Sequence, residues 1–524
     1  GPVMAPRDAR PKGPSRAAGA VLAALVLLCF AAACQVPPAT PEPGPSPTAP
    51  SATPTAPALL QPPAQEQAAA LLPQFLEEAT SLREATRYAI TATLMEEARL
   101  IVGQASIYYT NTEAVPLEEL VLRLYPNLMG ADAALTLESS QVGGRAVPPH
   151  VRQDGSAAHL PLDPPLPPGR GITVTLSFRT HVASHGARAY GAFGVQGGIW
   201  TLAGFYPLVA VYDEPGWNEE IPAEHGDMVH SDIAFYRVVW QAPEGYVLAA
   251  TGSVVGEDER DGTHTWTLVS GPVREFNLAL SRDYQVATRE AASGVRLRSF
   301  HLPERAAAGE ATLQYAQQAM DLYESLFGPY PYRELDLAEA EIGAAGIEYP
   351  GFILVAQSLY AREDPFLEFV VAHEVAHQWW YNLVGNDQVE EPWLDEALAN
   401  YSTVLYFGRV HGPDAADALL EAFRQRYEDL VQQGRDAPIA QPATAFSPAD
   451  YGPIVYQKGA LFLDALRAQM GDQAFLALLR QYQAQYRYRI AHGRDFQRVA
   501  ESVAGRDLGP FFSRWLYGVR LPGG

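Results

Sequence analysis

Apolar and polar residues alternate along this chain with two different periods, and the change of period divides it. From Tyr88 onward the apolar positions come in short runs of period two, the signature of half-buried strands. Ser106-Ile107-Tyr108-Tyr109, Leu120-Val121-Leu122-Arg123-Leu124-Tyr125, Ile172-Thr173-Val174-Thr175-Leu176, Tyr236-Arg237-Val238-Val239-Trp240 and Thr265-Trp266-Thr267-Leu268 are examples. Turn signals such as Pro126-Asn127 and Pro168-Gly169 separate them. The pattern predicts a largely antiparallel β domain over 86–292. Ahead of it, Ala64 to Ala85 carries helical periodicity and predicts a short helical lead-in over 61–85. Beyond it the period lengthens. Ala308–Phe327 predicts a long helix, ended by Gly328-Pro329-Tyr330-Pro331. Leu335–Glu339 is a strand candidate. Further helices are predicted over Ala415–Leu430 and Leu461–Met470, with a Pro- and Ser-bearing loop between them at 435–450. A second folded unit is therefore expected over 293–524.

The first 60 residues follow neither period. Gly1-Pro2-Val3 reads as an artificial addition ahead of Met4. Arg7, Arg10, Lys12 and Arg16 precede an apolar run from Ala17 to Ala33. That run is short for a membrane span and long enough for an export signal, so 1–34 reads as a signal segment. Ala31-Ala32-Ala33-Cys34 resembles a bacterial lipoprotein processing box, which would make Cys34 a lipid anchor; plain signal cleavage after Ala33, or an uncleaved anchor, are the competing readings. Residues 35–60 are rich in Pro, Thr, Ala and Ser and read as an extended spacer. The expected location is the extracytoplasmic face of the cell membrane, or the exterior.

Composition narrows the chemistry. The 524 residues exceed one ordinary core. A formal net charge of -23 argues against a nucleic-acid partner. The two cysteines, Cys29 and Cys34, both lie in the leader, so the folded part has no thiolate to offer a metal or a substrate. A metal site there must use His and carboxylate.

Residues 373–396 carry such a set. His373-Glu374-Val375-Ala376-His377 spells H-E-x-x-H. Positions i and i+4 of a helix share a face, so His373 and His377 can reach one ion. Two imidazoles and a carboxylate, with one coordination position left open, are a zinc donor set. Glu396, after 18 intervening residues, leaves room for a loop and a returning helix and supplies the third ligand. Glu374 projects beside the site and is placed to take a proton from the water that the ion activates. Phe369-Val370-Val371-Ala372 and Trp379-Trp380 make the helix a buried one. A satisfied core hydrogen-bond network is the competing reading. It leaves the helical segment Trp393–Tyr401 unexplained.

Two other stretches are weaker. Ala344-Ala345-Gly346-Ile347-Glu348-Tyr349-Pro350-Gly351 places a carboxylate beside an extended edge, where it meets either a peptide's terminal amine or bulk solvent. Tyr456, in Tyr451–Ala460, is either an oxyanion donor facing the metal or a buried phenol bonded to backbone. Phe205-Tyr206-Pro207 and Tyr212-Asp213-Glu214-Pro215 form a polar-aromatic loop that is either a packed turn or a direct substrate contact.

Taken together, these residues resemble the gluzincin zinc peptidases, the family of alanyl aminopeptidase and leukotriene-A hydrolase. His373, Glu374, His377 and Glu396 match the family's H-E-x-x-H-x18-E without a gap. Trp393–Ala399 is similar to its W-L-N-E-G-F-A, with Asp395 for Asn and Ala397-Leu398 for Gly-Phe. Ala345–Tyr349 is similar to its G-x-M-E-N, and Tyr456 to the tyrosine of Y-x-K-G. Tyr206-Pro207 and Tyr212–Pro215 resemble F-P-C-F-D-E-P. The resemblance covers about residues 86 to 520. It implies a multidomain protein: an N-terminal antiparallel β-sandwich or saddle domain and a mainly α thermolysin-like α+β catalytic domain. It implies one Zn2+ held by His373, His377 and Glu396, and catalysis by Glu374 and Tyr456. Gly346, Ile347 and Glu348 would bind substrate, with Glu348 on the free α-amine, so the expected partners are peptides with a free N-terminus. Phe511–Leu516 resembles the end of the catalytic domain, which implies a short bacterial form without the C-terminal helical domain, and hence an open cleft. The function expected is a zinc-dependent aminopeptidase. The alternatives are an open-cleft zinc endopeptidase or oligopeptidase, hydrolysis of a non-peptide bond, and a non-catalytic surface scaffold. Nothing in the chain indicates its oligomeric state.

Overall fold

The computed structural model describes residues 64–521, apart from 131, 153, 185–191, 215 and 363–364. The leader, Cys34 and the spacer over 35–60 lie outside the described residues. Among the described residues, no helix is long and apolar enough to cross a membrane.

The lead-in is not one helix. A turn of helix at Ala64–Ala68 gives way to a 3-10 turn at Pro73–Phe75 and a second short helix at Glu78–Ser81. Pro73 has no amide to continue the helix. The chain before it is instead tied to the second half: the Leu72 amide donates to the Pro331 carbonyl at 2.8 Å and the Arg333 amide to Ala70 at 2.9 Å.

Sheets follow, as the period-two runs require. The largest has eight strands. Thr86–Met95 lies at its centre between Leu100–Thr110, antiparallel, and Ala234–Pro243, parallel. Its other pairings are antiparallel. Two four-stranded sheets pack with it. On Thr86–Met95 every second side chain is buried, so the alternation in sequence is the alternation of faces.

The second half opens on a five-stranded mixed sheet, ordered Gln285–Glu290, Arg296–His301, Glu334–Ala340, Phe352–Ala356, Gly346–Tyr349. Glu334–Ala340 and Phe352–Ala356 are buried at every residue. A long helix, α1 (Ala306–Phe327), lies against this sheet. The Ala249 and Ala279 side chains, from strands of the first half, join a cluster with Phe300, Ala338, Ile347 and Phe352. Phe352–Ala356, covered on both faces, reads as a continuous apolar run, whereas Glu334–Ala340 is equally buried yet alternates, its Asp336 held by Arg298 and its Glu339 by the Leu302 amide.

Helices then dominate: α2 (Phe366–Ala376), α3 (Trp393–Val410), α4 (Pro413–Gln432), α5 (Gly459–Met470), α6 (Asp472–Tyr486) and α7 (Gly493–Ala504). Together with α1 they form an extensive C-terminal helical region. This corrects the expectation of a short form lacking one, and the open cleft inferred from that lack falls with it. The reason is physical. Helices α6 and α7 carry no catalytic motif, only apolar stripes such as Phe475, Leu478, Leu479 and Tyr482, or Phe496, Val499 and Ala500. Comparison by motif passes over such stripes. One continuous apolar cluster runs from Leu71 through the β sheets to Leu516, so the helical region shares its core with the sheets.

Candidate active site

Helix α2 is buried around its whole circumference except at Glu368. His373 lies in its last turn and His377 caps its C-terminus. Helix α3 returns alongside, and Glu396 in its first turn points at both histidines. The distances are 3.1 Å from His373 Nε2 to Glu396 Oε2, 3.3 Å from His377 Nε2 to the same oxygen, and 3.1 Å between the two ring nitrogens. The sequence-derived ligand set is therefore one cluster.

The donor chemistry fits zinc. His377 Nδ1 is 2.9 Å from the Trp380 carbonyl oxygen, which can accept only a proton-bearing nitrogen. That fixes the tautomer and turns the bare Nε2 lone pair toward the cluster. The electrostatics agree. Burial raises the Glu396 carboxyl, but His377 and His373 outweigh it and hold the group low. Burial lowers His377, yet Glu348 and Glu396 draw positive charge to it and raise it well above the usual imidazole range. A field that attracts a proton there attracts a metal ion to the same atoms. His373, His377 and Glu396 thus form a single site suited to one Zn2+.

Glu374 projects to one side, fully buried, and among the described residues its Oε2 has no hydrogen-bond partner. Burial first, then the Glu348 charge, pushes its carboxyl well above the usual range. Gly346 makes this position accessible: a Cβ there would sit 2.4 Å from Glu374 Oε1. Strand Gly346–Tyr349 occupies the edge of its sheet, paired with Phe352–Ala356. Gln378, just past α2, clamps it by donating to the Tyr349 carbonyl at 3.0 Å and accepting from the Gly351 amide at 2.9 Å. Ile347 and Glu348 lie on this strand and are buried. Glu348 is not a surface carboxylate; its Oε1 accepts from Gln388 at 3.0 Å.

Tyr456 belongs to a wide π-type turn, Gly452–Lys458, leading into α5. Its hydroxyl donates to Glu396 Oε1 at 2.7 Å, so it faces the cluster rather than backbone. The Asn400 amide holds the Tyr456 carbonyl at 3.0 Å, locking the turn to α3.

Three residues near the site escaped sequence reading. Asp227, on an irregular segment of the N-terminal half, lies with Glu348 and Glu396 in one group of carboxylates. Burial, then the charges of Glu348 and Glu396, pushes its carboxyl well up. Gln388 bridges Glu348 and Asp395, donating to Asp395 Oδ2 at 2.8 Å. Glu275 accepts from the Tyr381 hydroxyl at 2.6 Å. No motif marks any of them; the only signal is Glu224-His225-Gly226-Asp227, a polar run without periodicity. The cleft over the cluster is about 1070 Å³ and includes Asp227, Glu348, Glu374 and Tyr456 in its walls. A cavity of about 520 Å³ adjoins it through Asp227 and Glu348.

Known proteins are similar to this chain over part of its length. Residues 311–515 match the family model described as the Peptidase family M1 domain. Aminopeptidase N of Haemonchus contortus is 25% identical over 364 residues, 63% of this chain and 37% of that protein. Aminopeptidase N of Lactococcus lactis subsp. lactis is 28% identical over 226 residues, 39% of this chain and 26% of that protein. Human aminopeptidase RNPEPL1 is 29% identical over 310 residues, 55% of this chain and 41% of that protein. The chain thus spans less than half the length of these relatives. The crystal structure of an M1 zinc metallopeptidase from Deinococcus radiodurans superposes with a TM-score of 0.64 at 20% identity, over 84% of this chain and 95% of that one. A two-domain M1 zinc metallopeptidase bound to L-arginine superposes with a TM-score of 0.62 over the same shares. At that identity the likeness is one of fold, and it extends through the helical region. The segment similar to the M1 peptidase domain, 311–515, contains His373, Glu374, His377, Glu396 and Tyr456.

Proposed function

We propose that the protein is a zinc-dependent aminopeptidase that hydrolyses the N-terminal peptide bond of peptides. The observation that carries the reading is the buried His373–His377–Glu396 set, its donors 3.1–3.3 Å apart, with Glu374 beside it and two further carboxylates, Glu348 and Asp227, on one side. Zinc bound there would supply Lewis acidity to a carbonyl and lower the pKa of a water. The chain's own groups do the rest. Glu374 takes the proton of the attacking water and returns it to the nitrogen of the leaving peptide. Its raised pKa helps it keep the proton between the two halves of that task. The Tyr456 hydroxyl donates toward the carbonyl oxygen as it becomes negative. Glu348, with Asp227, accepts from the ammonium group, since an ionised carboxylate is the strong partner for it. The edge of Gly346–Tyr349 offers backbone groups to an extended peptide. The adjoining cavity, walled by Tyr125, Met129, Ile347 and Tyr349, would receive the first side chain.

The test is a panel of aminoacyl reporters, free peptides and their N-acetylated counterparts, each run with and without chelator. Free-amine substrates should turn over and lose turnover with chelator, and acetylation should abolish it. Equal turnover of acetylated peptides would remove the amine from the reading. No turnover anywhere by fully zinc-loaded protein would remove the enzyme.

The leader supports a separate proposal, that the chain is exported and anchored by lipid at Cys34. Mass spectrometry of the native mature N-terminus should find a lipid-modified Cys34; an unmodified Gln35 start would sink the anchor.

A further inference from the structure

One histidine outside the zinc-type cluster stands apart from the others. His159, His264, His411 and His492 each bond a carboxylate at 2.7–2.9 Å, as charged hydrogen bonds do. His230 does not. Its Nε2 is 3.7 Å from Asp213 Oδ2 and 3.6 Å from Asp387 Oδ2, beyond hydrogen-bond reach of both. Its Nδ1 is buried and, among the described residues, has no partner. The side chain is 4% exposed, so water does not stand in freely. A buried imidazole with neither nitrogen bonded is costly. Two carboxylates drawn toward it yet held off are hard to explain as an ion pair alone.

The spacing has another explanation. The three donor atoms lie within 4.8 Å of one another. Atoms bound to a common ion at about 2.0–2.2 Å keep such separations from each other. In the zinc-type set of this chain the donor atoms likewise converge, at 3.1–3.3 Å from one another. The carboxylates are also pre-aimed. Asp387 Oδ1 accepts the amides of Val389 and Glu390, both at 3.0 Å, which leaves Oδ2 for the cluster. Asn218 approaches that Oδ2 at 3.5 Å. Asp213 sits in a turn closed by its own amide on the Gly216 carbonyl at 2.9 Å. Its side chain is 37% exposed, which leaves a coordination position for water. Nearby, Glu220 Oε2 is a further buried oxygen without a partner among the described residues.

We propose that Asp213, His230 and Asp387 form a second metal site, which takes a divalent transition-metal ion such as Zn2+. An imidazole with two carboxylates suits zinc or manganese, whereas calcium and magnesium prefer oxygen alone. The site ties two distant parts of the chain together. Asp213 and His230 come from the N-terminal half, and Asp387 precedes Gln388, the residue that holds Glu348 and Asp395. The ion is a staple beside the cleft and does not touch the reacting atoms. Asp213, in a stretch that sequence alone reads as a packed turn or a substrate contact, becomes a metal ligand.

Counting bound metal tests this without any substrate. The full chain is stripped with chelator, titrated with Zn2+ and measured by elemental mass spectrometry. The parent should bind two equivalents. His230→Gln and Asp213→Asn should each bind one, and a His373→Ala/His377→Ala double variant should also keep one. Asp213 is partly exposed, so its variant should fold even where His230→Gln does not. Anomalous scattering at the zinc edge from crystals of the parent needs no variant and should show a peak between the three side chains. Saturation of the parent at one equivalent would overturn the proposal and leave His230 an imidazolium between two carboxylates. Persistence of the second equivalent in Asp213→Asn and His230→Gln, or its filling by Ca2+ but not Zn2+, would overturn it as well.

Discussion

Glu374 and Gln differ by one oxygen, and that difference isolates a proton. Glu374 holds no metal in the arrangement described, and among the described residues its Oε2 has no partner to lose. Glu374→Gln should therefore keep the fold and the parent's zinc content while turnover falls about 10²–10⁴-fold, the usual worth of general acid–base catalysis. Parent-like turnover at parent-like zinc content would take the proton away from Glu374. At this scale, what was readable in the chain tracks separation along it. The three metal donors fall within one stretch, His373 and Glu396 being 23 residues apart, so spacing alone suggested them. Tyr456 bonds Glu396 across 60 residues, and its placement at the site came from resemblance, not from any local pattern. Asp227 stayed hidden. It is more than 100 residues from Glu348, on a segment with no periodicity, and only folding brings the two carboxylates together.

Between elements, the packing of α3 against α5 sets the distance from Tyr456 to Glu396. Gly459, the first residue of α5, lies over Ala397, the neighbour of Glu396; a Cβ added there would come 2.7 Å from the Ala397 Cβ. Two effects compete in Gly459→Ala. Helix propensity favours alanine by about 1 kcal/mol. Overpacking costs about 1–3 kcal/mol, and here both contacting atoms are fixed to helix backbones, so it wins. The variant should be less stable by about 1 kcal/mol or more in denaturant titration. Its kcat should fall while its zinc content stays that of the parent, because the turn bearing Tyr456 is pushed away and the ligands are not. A more stable variant of unchanged kcat would show that the helices part freely. Element types were legible where one face is wet. The alternating strands and α1 announce themselves for that reason. The π-type turn at 452–458 does not, because a widened turn has the composition of an ordinary helix start. The lead-in is helical but broken into short turns, because Pro73 has no amide to continue a helix.

At the scale of the molecule, the cleft lies where the N-terminal half meets the helical region, since Asp227 comes from the former and the zinc-type set from the latter. What holds that junction is partly polar. Arg274, from the N-terminal half, is 1% exposed, and among the described residues no carboxylate pairs with it. Its guanidinium donates instead to three carbonyls: Asn382 at 3.1 Å, Ser231 at 3.2 Å and Arg489 at 2.7 Å. Two of these belong to the helical region. Burial lowers the Arg274 pKa, a sign that the charge is held at some cost, with Asp232 offsetting part of it. Replacing a buried charge with an apolar side chain is sometimes neutral, because the desolvation cost disappears. Here it would leave the Asn382 and Ser231 carbonyls without their donor, each worth about 1–3 kcal/mol, while the Arg489 carbonyl keeps the Gly385 amide at 2.8 Å. The second effect is the larger. Arg274→Met, which keeps length and removes the donors, should lower stability by about 3 kcal/mol or more and broaden or split the thermal transition as the two halves lose their common anchor. Scanning calorimetry with and without added Zn2+ would show it. A single sharp transition at the parent temperature would mean that the shared apolar core, running from Leu71 to Leu516, holds the halves together unaided.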